Sequence, residues 1–547
     1  MQAEGGMDES AGLARFEPAE LFGDDKGVPP ALLLHEAEQA DLNDIAALEG
    51  FLRQMAHLLR GLRVETEFEV ALGGHDAPFQ IVHRAMRTQS GGGDKIFVRL
   101  CGAEVSERVF GGGADLSWQA GAGAACCGAH TSMMNDSSPA PASLTPNLDW
   151  LYGTQLYGMK PGLDNTRRLL EETGLPGAGV RFLHVAGTNG KGSTCAFMHS
   201  MLGAAGVRAG LFTSPHLVRF NERIRDTERE ITDAEIESGL ARIRALVADW
   251  QPHPTFFEIT LALALDWFQA RGLEWVVLET GLGGRLDATN VVTPEVAVIT
   301  RIGMDHMAQL GGTLAEIAAE KAGIIKPGVP VVTGPQEPEA LRVIKSAARS
   351  KKAPLIVVDA PLNEVPLGLS GPHQGWNAAL AVAALRETGL PLPALVMEQG
   401  LRETVWPARF QSFGQGRVIL DGAHNPDAAR ALAEAWRAAF PGENAVVVFG
   451  GSSGKDHAET LLPLMEISAR WVLTGFDSPR SVPLPVLEEA FLAAGGEARL
   501  CEQARTLPEA LALASRHGAR VLICGSLFLA GEYLALRAQE RHQPSEQ

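Results

Sequence analysis

Arg181-Phe-Leu-His-Val-Ala-Gly-Thr-Asn-Gly-Lys-Gly-Ser-Thr194 passes from an apolar run through a glycine-rich turn into a helical stretch that continues to Ala205. Arg181–Ala186 reads as a buried strand, and the turn is Gly187, Thr188, Asn189, Gly190, Lys191, Gly192 and Ser193. Glycines at such a turn let backbone N–H groups approach phosphate oxygens, and the helix N-terminus adds the positive end of its dipole. Lys191 supplies a point charge for β and γ oxygens. The pattern G-x-x-x-x-G-K-[ST] is not met strictly, because Gly192 separates Lys191 from Ser193. The competing reading is a glycine-rich turn with an ordinary surface lysine. The strand–turn–helix context favours a phosphate loop.

Outward from this loop, short apolar runs alternate with helical segments. Arg181–Ala186, Ala209–Thr213, Trp275–Glu279, Val296–Thr300 and Val329–Thr333 are the first series. This alternation predicts a parallel sheet with helices on both faces. A second α/β series carries strands at Val418–Asp421, Ala445–Phe449, Trp471–Thr474, Ala498–Cys501 and Val521–Cys524. The stretch between them, Asp359–Gly375, is rich in Pro, Gly and Leu and reads as a hinge. The expected division is a central domain at 147–360, a hinge at 361–376 and a C-terminal domain at 377–547. Upstream, residues 1–60 carry twelve Asp/Glu against four Lys/Arg. A helix is expected over Ile45–Leu62, and strands at Val64–Leu72, Phe79–His83 and Lys95–Cys101. Residues 1–110 thus read as an α+β extension, and 111–146, rich in Gly, Ala, Ser and Pro, as a linker.

Composition narrows the function. With 47 Lys+Arg against 65 Asp+Glu among 547 residues, the formal charge of -18 makes a nucleic-acid groove unexpected, while a local basic pocket for phosphates stays open. Hydrophobic residues at 46% and charged residues at 20% describe a globular chain with ample core. There is no 18-residue apolar run, and the acidic stretch Met1–Asp25 is unlike a signal peptide. Six cysteines without a CxxC spacing make neither a disulfide framework nor a zinc site. A reducing cytoplasm is the expected compartment, with no membrane partner.

Further motifs follow the loop in order. They are Thr213-Ser-Pro-His-Leu217, Arg219-Phe-Asn-Glu-Arg223, Thr255-Phe-Phe-Glu258, the run from Glu279 to Asn290, Asp305-His306 and Glu320-Lys-Ala-Gly-Ile324. Beyond the hinge come Asn377, Trp406-Pro-Ala-Arg-Phe-Gln411, Asp421-Gly-Ala-His-Asn-Pro426 and Gly525-Ser526. Together with Gly187–Ser193 they resemble the folylpolyglutamate synthase and dihydrofolate synthase family, relatives of the Mur ligases, over roughly Asn147–Gln539. The resemblance implies a Mur-ligase-like P-loop ATPase domain followed by a smaller, Rossmann-like α/β domain. The implied activity is ATP-dependent ligation of L-glutamate to dihydropteroate, to reduced folyl glutamates, or to both, in folate biosynthesis and retention. A monomer using two Mg²⁺ ions is expected.

Such a ligation needs an activated carboxylate, and ATP can supply it by phosphoryl transfer, which depends on positioning and charge neutralisation. Ser214 and Glu279 lie at strand ends, where open α/β sheets place ligands, and Mg²⁺ prefers their oxygen chemistry. The resemblance assigns metal binding to Ser214, Glu279, His306 and Lys321, the last as a carbamate formed with CO₂. On residue type alone, His306 is as readily a cap or core histidine, since imidazole is not the preferred Mg²⁺ ligand. Lys321 alone reads as a solvated helix lysine. A desolvated amine near cations, however, has a lowered pKa and can react neutral. Thr255, Phe256, Phe257 and Glu258 offer aromatic faces and a carboxylate for a pterin, with core packing as the alternative. By resemblance, Leu286, Asp287 and Ala288 border the same pocket. It also implies that Asn377, Arg409 and Asp421 reach ATP from the C-terminal domain, and that His424 and Ser526 help bind glutamate.

Three features depart from the family pattern. Ala408 replaces the glycine of Trp-Pro-Gly-Arg, which predicts a shifted turn near Arg409. The segment between Val358 and Asn377 is short, and the first 140 residues have no recognised counterpart. Three other functions stay open: a Mur-type ligase with another acceptor, a nucleotide-binding regulator without catalysis, and a biological role carried by the N-terminal module with the ligase as its fused neighbour. Thr255–Glu258 argues against the first, and joint retention of Lys191, Ser214, Glu279, His306 and Lys321 against the second.

Overall fold

Strands buried on both faces need mostly apolar side chains, and the central runs of this chain meet that condition. In the computed structural model, β5 (Arg181–Ala186) is buried from Phe182 onward, and β8 (Trp275–Glu279) and β9 (Val296–Ile299) are buried throughout. The structure describes residues 146–157, 162–177 and 179–543, together with the backbone of four strands nearer the N-terminus. Two units divide the chain, Met1–Ser138 and Pro139–Gln547.

In the first unit β1 (Glu67–Ala71), β2 (Gln80–Arg84), β3 (Phe97–Leu100) and β4 (Ala103–Ser106) form one sheet in the order β2-β1-β3-β4. The β1–β3 pair is parallel and the other two are antiparallel. Three of these strands fall where alternation predicted them. The helix expected over Ile45–Leu62 and the linker up to residue 145 lie outside the described residues.

The second unit holds two sheets. The first runs β11-β10-β9-β5-β8-β6-β7, adding β6 (Ala209–Phe212), β7 (Ile224–Asp226), β10 (Val331–Thr333) and β11 (Leu355–Val357). All its pairs are parallel except β6–β7. The second runs β12-β13-β17-β14-β15-β16, from β12 (Gln411–Phe413), β13 (Val418–Leu420), β14 (Ala445–Phe449), β15 (Ser468–Thr474), β16 (Cys501–Ala504) and β17 (Val521–Cys524). Only the β12–β13 pair is antiparallel. Both sheets are therefore the α/β layers expected. One strand differs from expectation: Ala498–Leu500 forms a 3₁₀ turn closed by Leu500 N–H on the Glu497 carbonyl, and the strand begins at Cys501.

The boundary between the lobes also differs. The helix α1 (Lys191–Ala204) leaves the glycine turn, α2 (Phe256–Ala270) packs beneath the first sheet, and α3 (Leu314–Ala322) carries Lys321. Next come α4 (Pro372–Glu387), which starts inside the expected hinge, and α5 (Ala394–Glu403). Ala378, Ala381, Leu385 and Leu401 from these two helices share one apolar core with Val185 and Val298 of the first sheet and with Phe197 and Met201 of α1. Residues 377–403 thus pack with the central domain, and the second lobe begins near Ala408. Burial of the α4 and α5 faces, which the glycine-rich approach to Asn377 conceals, sets this boundary.

The α1–α5 contact is close because position 400 has no side chain. A Cβ on Gly400 would lie 2.5 Å from Met201 Cα, and Ser200 Oγ donates to the Gly400 carbonyl at 2.7 Å. Gly400→Val should therefore lower stability by about 3 kcal/mol, as overpacking of a tight helix crossing does. Urea unfolding checks this, and an unchanged midpoint would show that α5 can leave α1 freely.

Candidate active site

The glycine turn is shaped by what touches it. Gly187 has φ 154° and a Cβ there would fall 1.8 Å from Thr300 Oγ1; Gly190 has φ 90° and would meet Asn377 Oδ1 at 2.3 Å. Thr188 N–H and Asn189 N–H donate to the Arg301 carbonyl at 2.9 and 3.1 Å, fixing the turn on the end of β9. The first turn of α1 leaves the N–H groups of Lys191, Gly192 and Ser193 without intrahelical acceptors.

 A cavity of about 630 Å³ opens over these groups.

One wall of that cavity comes from the first lobe: residues 187–193, Ser214, Glu279, the Gly281–Gly283 turn, His306, Lys321 and, from α4, Asn377. The other comes from the second lobe: Arg409, Asp421 and His424. Asn377 therefore reaches the loop from a helix of the central lobe, and not from the C-terminal domain as expected.

Charges within the cavity are matched in sign. Lys191 Nζ lies 4.0 Å from Glu279 Oε1 and donates to the Thr188 carbonyl at 3.4 Å. Burial pushes the Glu279 carboxyl up, with Lys191 opposing, and Ser214 N–H donates to its Oε2 at 3.3 Å. Lys321 is buried, not solvated: 4% of it is exposed, and its Nζ donates to the Gly187 carbonyl at 2.9 Å. Burial and then the charge of Lys191 lower its pKa from 10.5 to about 7. His306 stands in the left-handed region at φ 51°, and burial with nearby Lys455 lowers its pKa to about 4, leaving the imidazole neutral.

In the second lobe, Asp421 accepts Phe410 N–H at 2.7 Å and Ala423 N–H at 2.8 Å. Burial raises its carboxyl and Arg409 opposes. His424 Nδ1 lies 2.7 Å from the Gly422 carbonyl, and burial lowers its pKa to about 4. Ser526 is off the cavity wall. Its hydroxyl meets Ser452 Oγ at 2.8 Å and caps helix α6 (Leu527–Ala538) by accepting Phe528 N–H at 3.0 Å. Ala408 adopts φ 54°, so alanine holds the left-handed turn.

The residues expected around a pterin divide. Thr255 and Glu258 form the capping box of α2, and Glu258 uses both oxygens, accepting Thr255 N–H at 2.8 Å and the Thr166 hydroxyl at 2.9 Å. Phe256 is core, against Tyr152 and Phe220. Asp287 caps a turn by accepting Leu282 N–H at 2.9 Å and Thr289 N–H at 3.0 Å, and Ala288 is buried behind it. Phe257 is half-buried against the Gly281 turn, and Leu286 is exposed.

Among the described residues, no group of three or more His, Cys, Asp or Glu is gathered to hold a metal ion. This donor set still fits Mg²⁺, which takes one or two carboxylates, keeps several waters and shares substrate phosphates. Glu279 is the carboxylate in reach of the loop. Sequence reading passed over Lys455 and Asn425, which converge on Asp305 beside His306. The run Gly450-Gly-Ser-Ser-Gly-Lys455 after β14, a glycine-rich loop at a strand end, carried the signal.

Two α/β lobes line one cavity of about 630 Å³ over a glycine loop, with Lys191, Lys321 and Arg409 set against Glu279 and Asp421 on its walls. Residues 185–333 match the Mur ligase middle domain, and residues 408–527 the Mur ligase glutamate ligase domain. The dihydrofolate synthase/folylpolyglutamate synthase of Bacillus subtilis (strain 168) is 38% identical over 365 residues, covering 61% of this chain and 85% of that protein. The structure of Escherichia coli FolC with DHPP and ADP superposes with a TM-score of 0.66 at 32% identity, over 74% of this chain and 99% of that one. A bifunctional folylpolyglutamate synthase/dihydrofolate synthase with Mn, AMPPNP and L-glutamate bound gives 0.65 at 33% identity, over 72% and 98%. The chain belongs to the dihydrofolate synthase/folylpolyglutamate synthase family, and it is an ATP-dependent ligase.

Lys191→Ala removes the loop's point charge and should cost on the order of 3 kcal/mol of transition-state stabilisation, a hundredfold or more in rate. Wild-type turnover and ATP affinity in that variant would show that the loop does not cradle the phosphates.

Proposed function

We propose that the enzyme joins the amine of L-glutamate to the carboxylate of dihydropteroate, of a reduced folyl glutamate, or of both. ATP first phosphorylates the acceptor carboxylate, and the amine then displaces phosphate from the acyl phosphate. The observation that carries this reading is the shared cavity, in which Lys191, Glu279 and Lys321 of one lobe face Arg409, Asp421 and His424 of the other.

In this reading residues 188–193 and Asn377 bind ATP, with Arg409 and Asp421 closing from the second lobe. Ser214, Glu279 and His306 would hold Mg²⁺, whose chemistry is to neutralise charge on the transferring phosphoryl group. Phe257 and Leu286 present the apolar surface left for the pterin, while Thr255, Phe256, Glu258, Asp287 and Ala288 support it from behind. His424 faces the incoming glutamate, and Ser526 acts on that side through the α6 cap. Neutral His306 and His424 keep their lone pairs available at neutral pH.

Purified enzyme with ATP, Mg²⁺ and labelled glutamate should form product with dihydropteroate, with tetrahydrofolate, or with each. In the absence of glutamate, acceptor should promote scrambling of ¹⁸O between the β,γ-bridge and non-bridge positions of ATP, because phosphoryl transfer to a carboxylate is reversible. No product with either acceptor overturns the functional reading, and product without scrambling overturns the acyl phosphate.

Lys321 is read as a carbamate: the neutral amine adds to CO₂, forming an N–C bond and releasing one proton. Because its pKa lies at about 7, the neutral form prevails above that pH. At fixed dissolved CO₂, labelled carbamate should rise with a midpoint near pH 7, and Lys321→Gln should abolish it. A rise only near 10.5, the ordinary lysine value, would sink the assignment.

A further inference from the structure

Asp305 lies on the loop after β9, and its carboxylate is engaged from both lobes. From its own loop, the His306 N–H donates to Oδ1 at 2.8 Å. From the second lobe, Lys455 Nζ contacts Oδ1 directly and Asn425 Nδ2 donates to Oδ2 at 3.0 Å. His424 Nε2 stands 3.8 Å from Oδ2, and Lys455 Nζ lies 3.2 Å from His306 Nε2. Asn425 also exchanges paired amide bonds with Asn189 of the glycine loop, at 3.2 and 3.1 Å.

Both members of the charge pair are nearly out of water, with Lys455 8% and Asp305 7% exposed at the side chain. Although burial raises it, the Asp305 carboxyl is held well below its usual range by His424 and Lys455. A buried pair is costly to break by removing one member, yet its Coulomb attraction is largely offset by desolvation. Parting the lobes rehydrates both groups together, so opening costs far less than losing either charge. That balance suits a reversible contact. The same carboxylate holds the His306 backbone at φ 51°, a conformation a non-glycine residue keeps only when its surroundings over-determine it.

We propose that Lys455 and Asp305 form a latch between the lobes, which closes the cavity and sets the His306 loop only in the closed state. Lys455 is then a positioning residue for ligation. The link to ligation rests on the function proposed above; the latch itself rests on the contacts at Asp305.

The test is hydrogen exchange on the full-length, nucleotide-free protein, paired with steady-state kinetics. In Lys455→Met, amides of 303–308 and 422–426 should exchange about tenfold faster or more, as local opening predicts, while those of β5 and β14 stay protected. Turnover should fall at least about tenfold, with KM for ATP within about threefold, because the glycine loop is untouched. Lys455→Arg, which keeps the charge, should restore both. Asp305→Asn should show the same exchange, and adding Lys455→Met to it should change little more, as coupled residues do. Unchanged exchange in Lys455→Met, or effects of the two substitutions that simply add, overturns the latch. Should Lys455→Met alone fail to fold, the double variant, which leaves no unpaired charge, decides. Fast exchange at 303–308 with a protected core supports the latch, and wild-type protection there overturns it. If the wild type ligates glutamate to neither acceptor, the functional reading falls, while the exchange comparison still decides the latch.

Discussion

The turn from β5 into α1 can close only because positions 187 and 190 carry no side chain, and the rest of the site is built on that bare backbone. Thr300 Oγ1 occupies the space beside Gly187, and Asn377 Oδ1 the space beside Gly190. The Gly187 carbonyl, freed to point away from the sheet, receives the Lys321 amine from α3. Asn189, between the two glycines, pairs with Asn425 of the second lobe. Four elements from distant parts of the chain thus take their positions from one seven-residue turn. A methyl group at either glycine would displace a polar partner, and with it a wall of the cavity.

Burial then gives the cavity its electrostatic character. The same removal of water lowers Lys321 and raises Glu279 and Asp421, because in each case it penalises the charged form. Lys191 opposes that shift at Glu279 and Arg409 opposes it at Asp421. A polyphosphate entering such a site meets cations already held in place, and phosphoryl transfer gains from that preorganisation because little needs to move as charge develops. The formal charge of -18 for the whole chain does not oppose it. Exposed charges beyond about 10 Å are largely screened at ordinary ionic strength, whereas buried ones act at short range.

How much of this was legible in the sequence follows from where the information sits. The strands β5, β8, β14 and β17 were legible because both faces are buried, which demands continuous apolar runs. The edge strands β7, β11 and β12 have three residues each and too little apolar patterning to stand out. The loop at 187–193 was legible because its chemistry is local. Lys455 and Asn425 were not, since Asp305 lies 150 and 120 residues away and only the fold brings them together. Thr255-Phe-Phe-Glu258 carries a second reading in its spacing. Its spacing is that of a capping box, and the structure uses Thr255 and Glu258 as one.

Ala408 holds a left-handed backbone where the family pattern has glycine. A left-handed alanine costs about 1–2 kcal/mol over glycine. Its methyl is fully buried in the core of the second lobe, which contributes about 0.8 kcal/mol and offsets part of that cost. Three hydrogen bonds then hold the turn: Ala408 N–H on Gln411 Oε1 at 3.0 Å, and its carbonyl receiving both Gly422 N–H and Arg409 Nη1 at 2.9 Å. Because the Arg409 guanidinium bonds to the carbonyl of the residue before it, the side chain that faces the cavity is oriented by the backbone of that turn. The alanine is accommodated in a left-handed turn whose backbone holds Arg409 on the cavity wall.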